Sequence, residues 1–209
     1  MSKEQIEDQI NEVFSEIDAE NPGLVDSFDV QAMQAERQEY LAALSNKERC
    51  LYLLGNARGM LSVMPTFDIS TAVPAFSILI NSCVHISQVM IGLGEGYPPE
   101  ARSRIAQGAL TALGSIENIP RTAGARQRMG NMILHLFDAD TALLHVLAVL
   151  RQDNQDEVSA VHARKAQAAL DAVPSSFQTM TEMSVIIDRL WTCQLQLLDA
   201  LQILVADQD

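Results

Sequence analysis

Hydrophobic and polar positions along this chain recur with helical rather than strand periods, and one stretch stands apart from the rest. Between Asp68 and Glu95, 26 consecutive positions carry no Asp, Glu, Lys or Arg. Within it, Ser77, Asn81, His85 and Gln88 follow one another at spacings of four, four and three, which places them on one face of a helix. An apolar helix crossed by one polar line predicts a central, buried element near 74–91, with the polar stripe finding its hydrogen bonds inside the protein. The last helix has the clearest period. Met180, Met183, Ile187, Leu190, Gln194, Leu197, Leu201 and Leu204 alternate at three and four, and Trp191, Leu195, Leu198 and Val205 widen the apolar arc. So wide an arc favours packing inside its own domain over a dimer seam, and Gln194, the single polar interruption, can set register between helices.

Other helices announce themselves by their ends. Ile6, Ile10, Val13, Phe14 and Ile17 form an amphipathic first helix stopped by Asn21-Pro22-Gly23, and a second is expected over 29–44. Ser45-Asn46-Lys47-Glu48 is a capping-box pattern that opens a third, ended by Pro65. Pro74 falls in the first turn of the ion-free helix; Gly92, Gly94 and Gly96 break it, and Pro98-Pro99 start the next. A long helix is expected over 122–151 and a shorter one over 156–172, with Ser175 or Ser176 capping the last. The fold class that follows is all-α, a bundle of about eight helices with a long C-terminal helix. No internal repeat of fixed period is visible.

Composition agrees with that class. Of 209 residues, 48% are hydrophobic and 5% aromatic, so the core is built from aliphatic side chains and nine Met. The net charge of −13 is uneven: residues 1–48 hold twelve acids and three bases, while five of the fourteen bases, Arg102, Arg104, Arg121, Arg126 and Arg128, fall between 100 and 130. The expected organisation is an acidic arm over 1–20 and one helical domain over 24–209. An acidic balance argues against nucleic-acid partners, since phosphate contacts need positive surface. The ion-free helix is long enough to span a membrane, but its serines, Asn81, His85 and Gln88 are a heavy polar load for lipid and no Lys/Arg cluster adjoins it. Three dispersed cysteines and an acidic amphipathic start point to a cytoplasmic, reducing location without a signal peptide.

Candidate chemistry is sparse. His135, Asp138 and His145 fall within one helical arc and, with His85, are the candidate metal ligands; yet Asp138 and His145 stand about 10 Å apart along a helix axis. Gly92-x-Gly94-x-Gly96 follows a helix rather than a strand, so it is a helix stop and not a dinucleotide loop. Gly55 and Gly59 suggest a close helix approach, and Arg49 beside Cys50 could lower that thiol's pKa. No cofactor and no enzymatic reaction is implied. The function expected is a non-catalytic protein-interaction module, an adaptor or regulator that binds or masks a partner protein or another copy of itself. Its contact residues would be Ile6, Ile10, Val13, Phe14 and Ile17 on the acidic helix and the five arginines. Two alternatives stay open: a self-assembling matrix or shell subunit, and a metal- or small-ligand-binding bundle.

Overall fold

The computed structural model describes residues 38–63, 72–119, 125–152, 157–174 and 179–207. The chain divides into two compact units, Met1–Leu44 and Ser45–Asp209. In the first, the described residues 38–43 are helical; the helix expected over 6–17 and its Asn21–Gly23 stop lie outside the described residues. The described residues of the second unit form six helices: α1 (Asn46–Ser62), α2 (Ala72–Gly94), α3 (Pro99–Glu117), α4 (Ala125–Leu150), α5 (Glu157–Asp171) and α6 (Met180–Ala206). The described residues contain no strand, and the protein is all-α.

Local chemistry accounts for the helix ends. Ser45 and Glu48 form the capping box at the start of α1: the Glu48 amide donates to Ser45 Oγ at 3.3 Å and the Ser45 amide donates to Glu48 Oε2 at 2.9 Å. That hydrogen bonding holds the Glu48 carboxyl below its ordinary pKa. Pro98 occupies the N-cap of α3 and Pro99 its first turn, where a missing amide hydrogen costs nothing. For α6 the cap is Thr179, paired with Glu182 in a second capping box, in place of the expected Ser175 or Ser176. The Tyr97 hydroxyl donates to the Leu150 carbonyl, one of the oxygens left over at the end of α4.

The six helices arrange as three inner and three outer. Helices α2, α4 and α6 touch one another; α1 lies against α2 and α6, α3 against α2 and α4, and α5 against α4 and α6. Each outer helix thus packs on the inner helix that follows it in sequence and on one other. The hairpins are antiparallel: Asn46 Nδ2 donates to the Gly92 carbonyl at 2.6 Å, and the Cys50 thiol donates to the Val89 carbonyl at 3.8 Å. All three inner helices carry an apolar stripe with three-four spacing. On α2 it is Phe76, Leu79, Cys83, Ile86, Met90 and Leu93; on α4, Ile133, Leu136, Asp140, Leu143, Leu147 and Leu150. On α6 it is Met183, Ile187, Leu190, Gln194, Leu197, Leu201 and Leu204. Every one of these residues is buried. The centre is therefore shared by three helices rather than filled by α2 alone.

Three expectations are corrected. Ser77, Asn81 and Gln88 of α2 are exposed, so most of the polar stripe faces outward; only His85 is buried, and its Nδ1–H donates to the Asn81 carbonyl at 2.8 Å. The buried hydroxyls of α2 are instead Ser82 and Ser87, the latter donating to the Cys83 carbonyl at 2.8 Å. Secondly, a side chain at Gly55 or Gly59 would meet nothing within 4 Å, so neither is a helix-approach glycine. Thirdly, Gly92 and Gly94 lie inside α2, where they mark close approaches: a Cβ at Gly92 would stand 2.8 Å from Cys50 Sγ, and one at Gly94 would stand 2.8 Å from Ile105 Cγ2.

Among the described residues two segments, Pro74–Gly94 and Met129–Leu150, have the length and apolarity of membrane-crossing helices, and about half of the apolar stretch in each (56% and 50%) is buried within the protein. Both belong to the inner three.

Gly108 of α3 faces Val146 of α4, and an added Cβ would collide with Val146 Cγ2. Val146 is itself buried and β-branched, so it has little room to turn aside. Gly108→Ala should therefore destabilise by about 1–3 kcal/mol through overpacking, more than the roughly 1 kcal/mol that Ala gains over Gly in a helix. Combining it with Val146→Ala should recover part of the loss. Urea unfolding of the two single variants and the double variant measures this coupling.

Candidate functional site

Midway along the inner helices the apolar stripes are interrupted at one level. Cys83 stands there on α2, Asp140 on α4 and Gln194, with Cys193, on α6, all fully shielded from solvent. Gln194 Nε2 donates to Asp140 Oδ1 at 3.1 Å. The other oxygen of each group, Asp140 Oδ2 and Gln194 Oε1, is buried and has no hydrogen-bond partner. Removal from water pushes the Asp140 carboxyl up to about 8 against the lowering effect of the Gln194 bond, so burial favours its neutral form.

The thiols follow the same logic. Burial, reinforced by Asp140, pushes Cys83 well above the ordinary thiol value; burial, then Asp140 and Cys83, does the same to Cys193. Cys50 is raised to about 11 by burial first and Glu95 second, against the opposing effect of Arg49. The expected lowering by Arg49 is thus outweighed. All three cysteines are free and buried, and burial favours the thiol over the reactive thiolate in each.

A second constellation lies at the surface where α1, α5 and α6 meet. Asp199 of α6 accepts from Arg58 of α1, which also donates to Gln202 at 3.2 Å. Asp199 Oδ2 lies 3.6 Å from His162 Nδ1 of α5, while that nitrogen donates to Gln196 Oε1 at 2.7 Å. A shallow open groove lined by His162, Asp199, Gln202, Ile203 and Ala206 runs beside them. The Asp199 carboxylate thus bonds α1 to α6 and lies beside a histidine of α5. The Arg58 side chain is 44% exposed, and such a solvated pair contributes about 0–1 kcal/mol, so the network orients these helices more than it drives their packing.

The residues singled out from sequence distribute as follows. Arg102 and Arg104 are exposed on the first turns of α3. Arg126 and Arg128 belong to α4 but their side chains, like Arg121 and the apolar set Ile6, Ile10, Val13, Phe14 and Ile17, lie outside the described residues. Of the metal candidates, His85 is buried on α2, His135 is half-buried, and Asp138 and His145 are exposed on an outward line of α4. Among the described residues no group of three or more His, Cys, Asp or Glu side chains is placed to hold a metal ion. Sequence reasoning missed Asp140, Arg58, His162 and Asp199. Asp140 had a signal: it interrupts a three-four apolar line from Ile133 to Leu150 just as Gln194 interrupts the line from Met183 to Leu204. The surface network had none, because its members are ordinary polar residues on three separate helices.

No family model, no curated protein and no solved structure matches this chain.

The state of the thiols is directly measurable. At pH 7.5 the folded protein should react negligibly with an aromatic disulfide reagent over minutes, whereas in denaturant all three cysteines should titrate. Prompt reaction of a folded-state thiol would show that one of these helix contacts opens readily.

Proposed function

We propose that the protein is a non-catalytic helical module that binds another protein and thereby regulates or masks it. The observation supporting this reading is the outer face of α3. Leu110 is 59% exposed there, on a shallow groove that it lines with Ser103, Ala106, Gln107 and Thr111. Exposed Arg102 lies roughly 80° to one side of it around the helix and exposed Arg104 roughly 120° to the other, at about 100° per residue. Both arginines precede Leu110 by two turns, about 9–12 Å along the axis at 1.5 Å per residue. An exposed leucine with guanidinium groups two turns away suits a partner that offers an apolar side chain and, about 10 Å from it, a carboxylate. The acidic segment bearing Ile6, Ile10, Val13, Phe14 and Ile17 would supply a second contact surface. The proposed setting is cytoplasmic, with neither membrane nor nucleic acid as partner.

A second reading rests on charge polarity. Residues 1–48 carry twelve acids against three bases, and arginines cluster over 102–128, so the acidic segment of one copy could meet the arginines of the next in a self-assembling structural protein.

One comparison separates them. Full-length protein, a Leu110→Asp variant and an Arg102→Glu/Arg104→Glu variant would each be used for affinity capture with quantitative mass spectrometry. The module reading expects one dominant partner whose recovery falls about tenfold or more in both variants, the loss of a hot-spot contact, with helical circular dichroism unchanged. Equal recovery by all three chains counts against it. Light scattering of the full-length protein across salt concentrations should give small discrete species; large polymers that dissolve in salt would favour self-assembly instead.

A further inference from the structure

The orphaned oxygens at the centre of the bundle share a single remedy. Asp140 and Gln194 already make one hydrogen bond, from Nε2 to Oδ1, and the two atoms left without partners are the remaining oxygens of the same two planar groups. With an ionised carboxylate both would be bare acceptors, each costing about 1–3 kcal/mol as an unsatisfied buried group. One proton on Oδ2 changes this: the acid O–H donates to Gln194 Oε1, and the pair closes into a two-bond acid–amide ring. We propose that Asp140 is held as a neutral acid in such a ring with Gln194, and that this ring is a proton-operated latch between α4 and α6.

The surroundings favour the neutral form. Helix α4 packs against α2, α3, α5 and α6. From α2 the Cys83 thiol faces Asp140, and from α6 the Cys193 thiol, both of them protonated. The buried residues of α3 are Ile105, Ala109 and Ala112, and those of α5 are Ser159, Ala166, Ala169 and Leu170, none of which ionises. Among the described residues no cation acts on Asp140 to compensate a carboxylate, so a proton takes that role.

The consequence is a sign that runs opposite to an ordinary surface acid. Unfolded, Asp140 releases its proton near its ordinary value of 3.8; folded, it keeps it to about 8. Between those values the folded chain binds one more proton than the unfolded one. Folding takes up that proton, and the contribution of this group to stability falls as pH rises through the interval, then levels off above about 8.

Asp140→Asn tests the latch, because an asparagine amide can make the same two-bond ring without a titratable proton. The reversible unfolding of both full-length chains would be followed in urea from pH 4.5 to 9. Relative to Asp140→Asn, the wild-type unfolding constant should rise about tenfold per pH unit between about 5 and 7, the slope of one linked proton. Parallel profiles for the two chains would overturn the proposal. Should the variant fail to fold, wild-type protein labelled with 13C at the aspartate side-chain carboxyl serves alone. One aspartate signal still protonated at pH 6.5 is the expected result, and a full set of ionised carboxylates at that pH would overturn it.

Discussion

A helix without ionic side chains cannot leave most of its surface in water, and the enclosure of α2 sets the terms for the helices around it. Its stripe from Phe76 to Leu93 faces α4 and α6, while its flanks receive α1 and α3, with Gly92 and Gly94 admitting Cys50 and Ile105 at distances a methyl group would forbid. Four helices are needed to cover one. The same holds for α4 and α6, which are also packed on by four neighbours each, and the outer helices α1, α3 and α5 are the covering layer. Burial of this aliphatic set, at about 25 cal/mol per Å², is the force behind the arrangement.

Three hairpins built alike give the helix contacts of the Ser45–Asp209 unit an approximate threefold pattern that no repeated motif announces. Cys83, Asp140 and Gln194 stand at the same depth in the inner helices, 11, 10 and 12 residues before their last residues Gly94, Leu150 and Ala206. The repeat lies in the three-four spacing and in helix length, not in residue identity, because any aliphatic side chain of suitable volume fills a stripe position. Inspection for a fixed sequence period therefore fails on a chain whose architecture is nearly periodic.

How far the chain could be read from its residues follows from the same distinction. Helix existence was legible because apolar period and terminal chemistry are local: the Ser45–Glu48 box, Pro99 at the start of α3 and the broad arc of α6 all appear in the structure as the pattern implies. Which polar residues go inside was not legible. Ser77, Asn81 and Gln88 form a tidy line that reads as a buried, internally bonded stripe, yet they are exposed along one edge of α2. Asp138 drew attention through its histidine neighbours and is exposed, whereas Asp140, two residues on, sits on the buried line. A difference of two residues is more than half a helical turn, and only the partner helices decide which side is inner. Cys50 carries a related lesson: an adjacent arginine was visible, but desolvation by residues from α2 outweighs it.

The near-equivalence of the three hairpins also explains why a costly polar pair belongs in this core. Inner helices with interchangeable aliphatic stripes could settle in a register displaced by one turn, with little difference in buried area. Displacing α6 by a turn would bring Leu190 or Leu197 opposite Asp140 in place of Gln194, leaving an acid with no partner in an apolar layer. A polar group stranded in that way costs several kcal/mol, while the native pairing recovers most of it through hydrogen bonds. Cys83 fills the third position as a small, soft side chain that tolerates the neighbouring acid without competing for Gln194. The polar layer thus supplies what the aliphatic stripes cannot: a reason for α4 and α6 to meet at one level only.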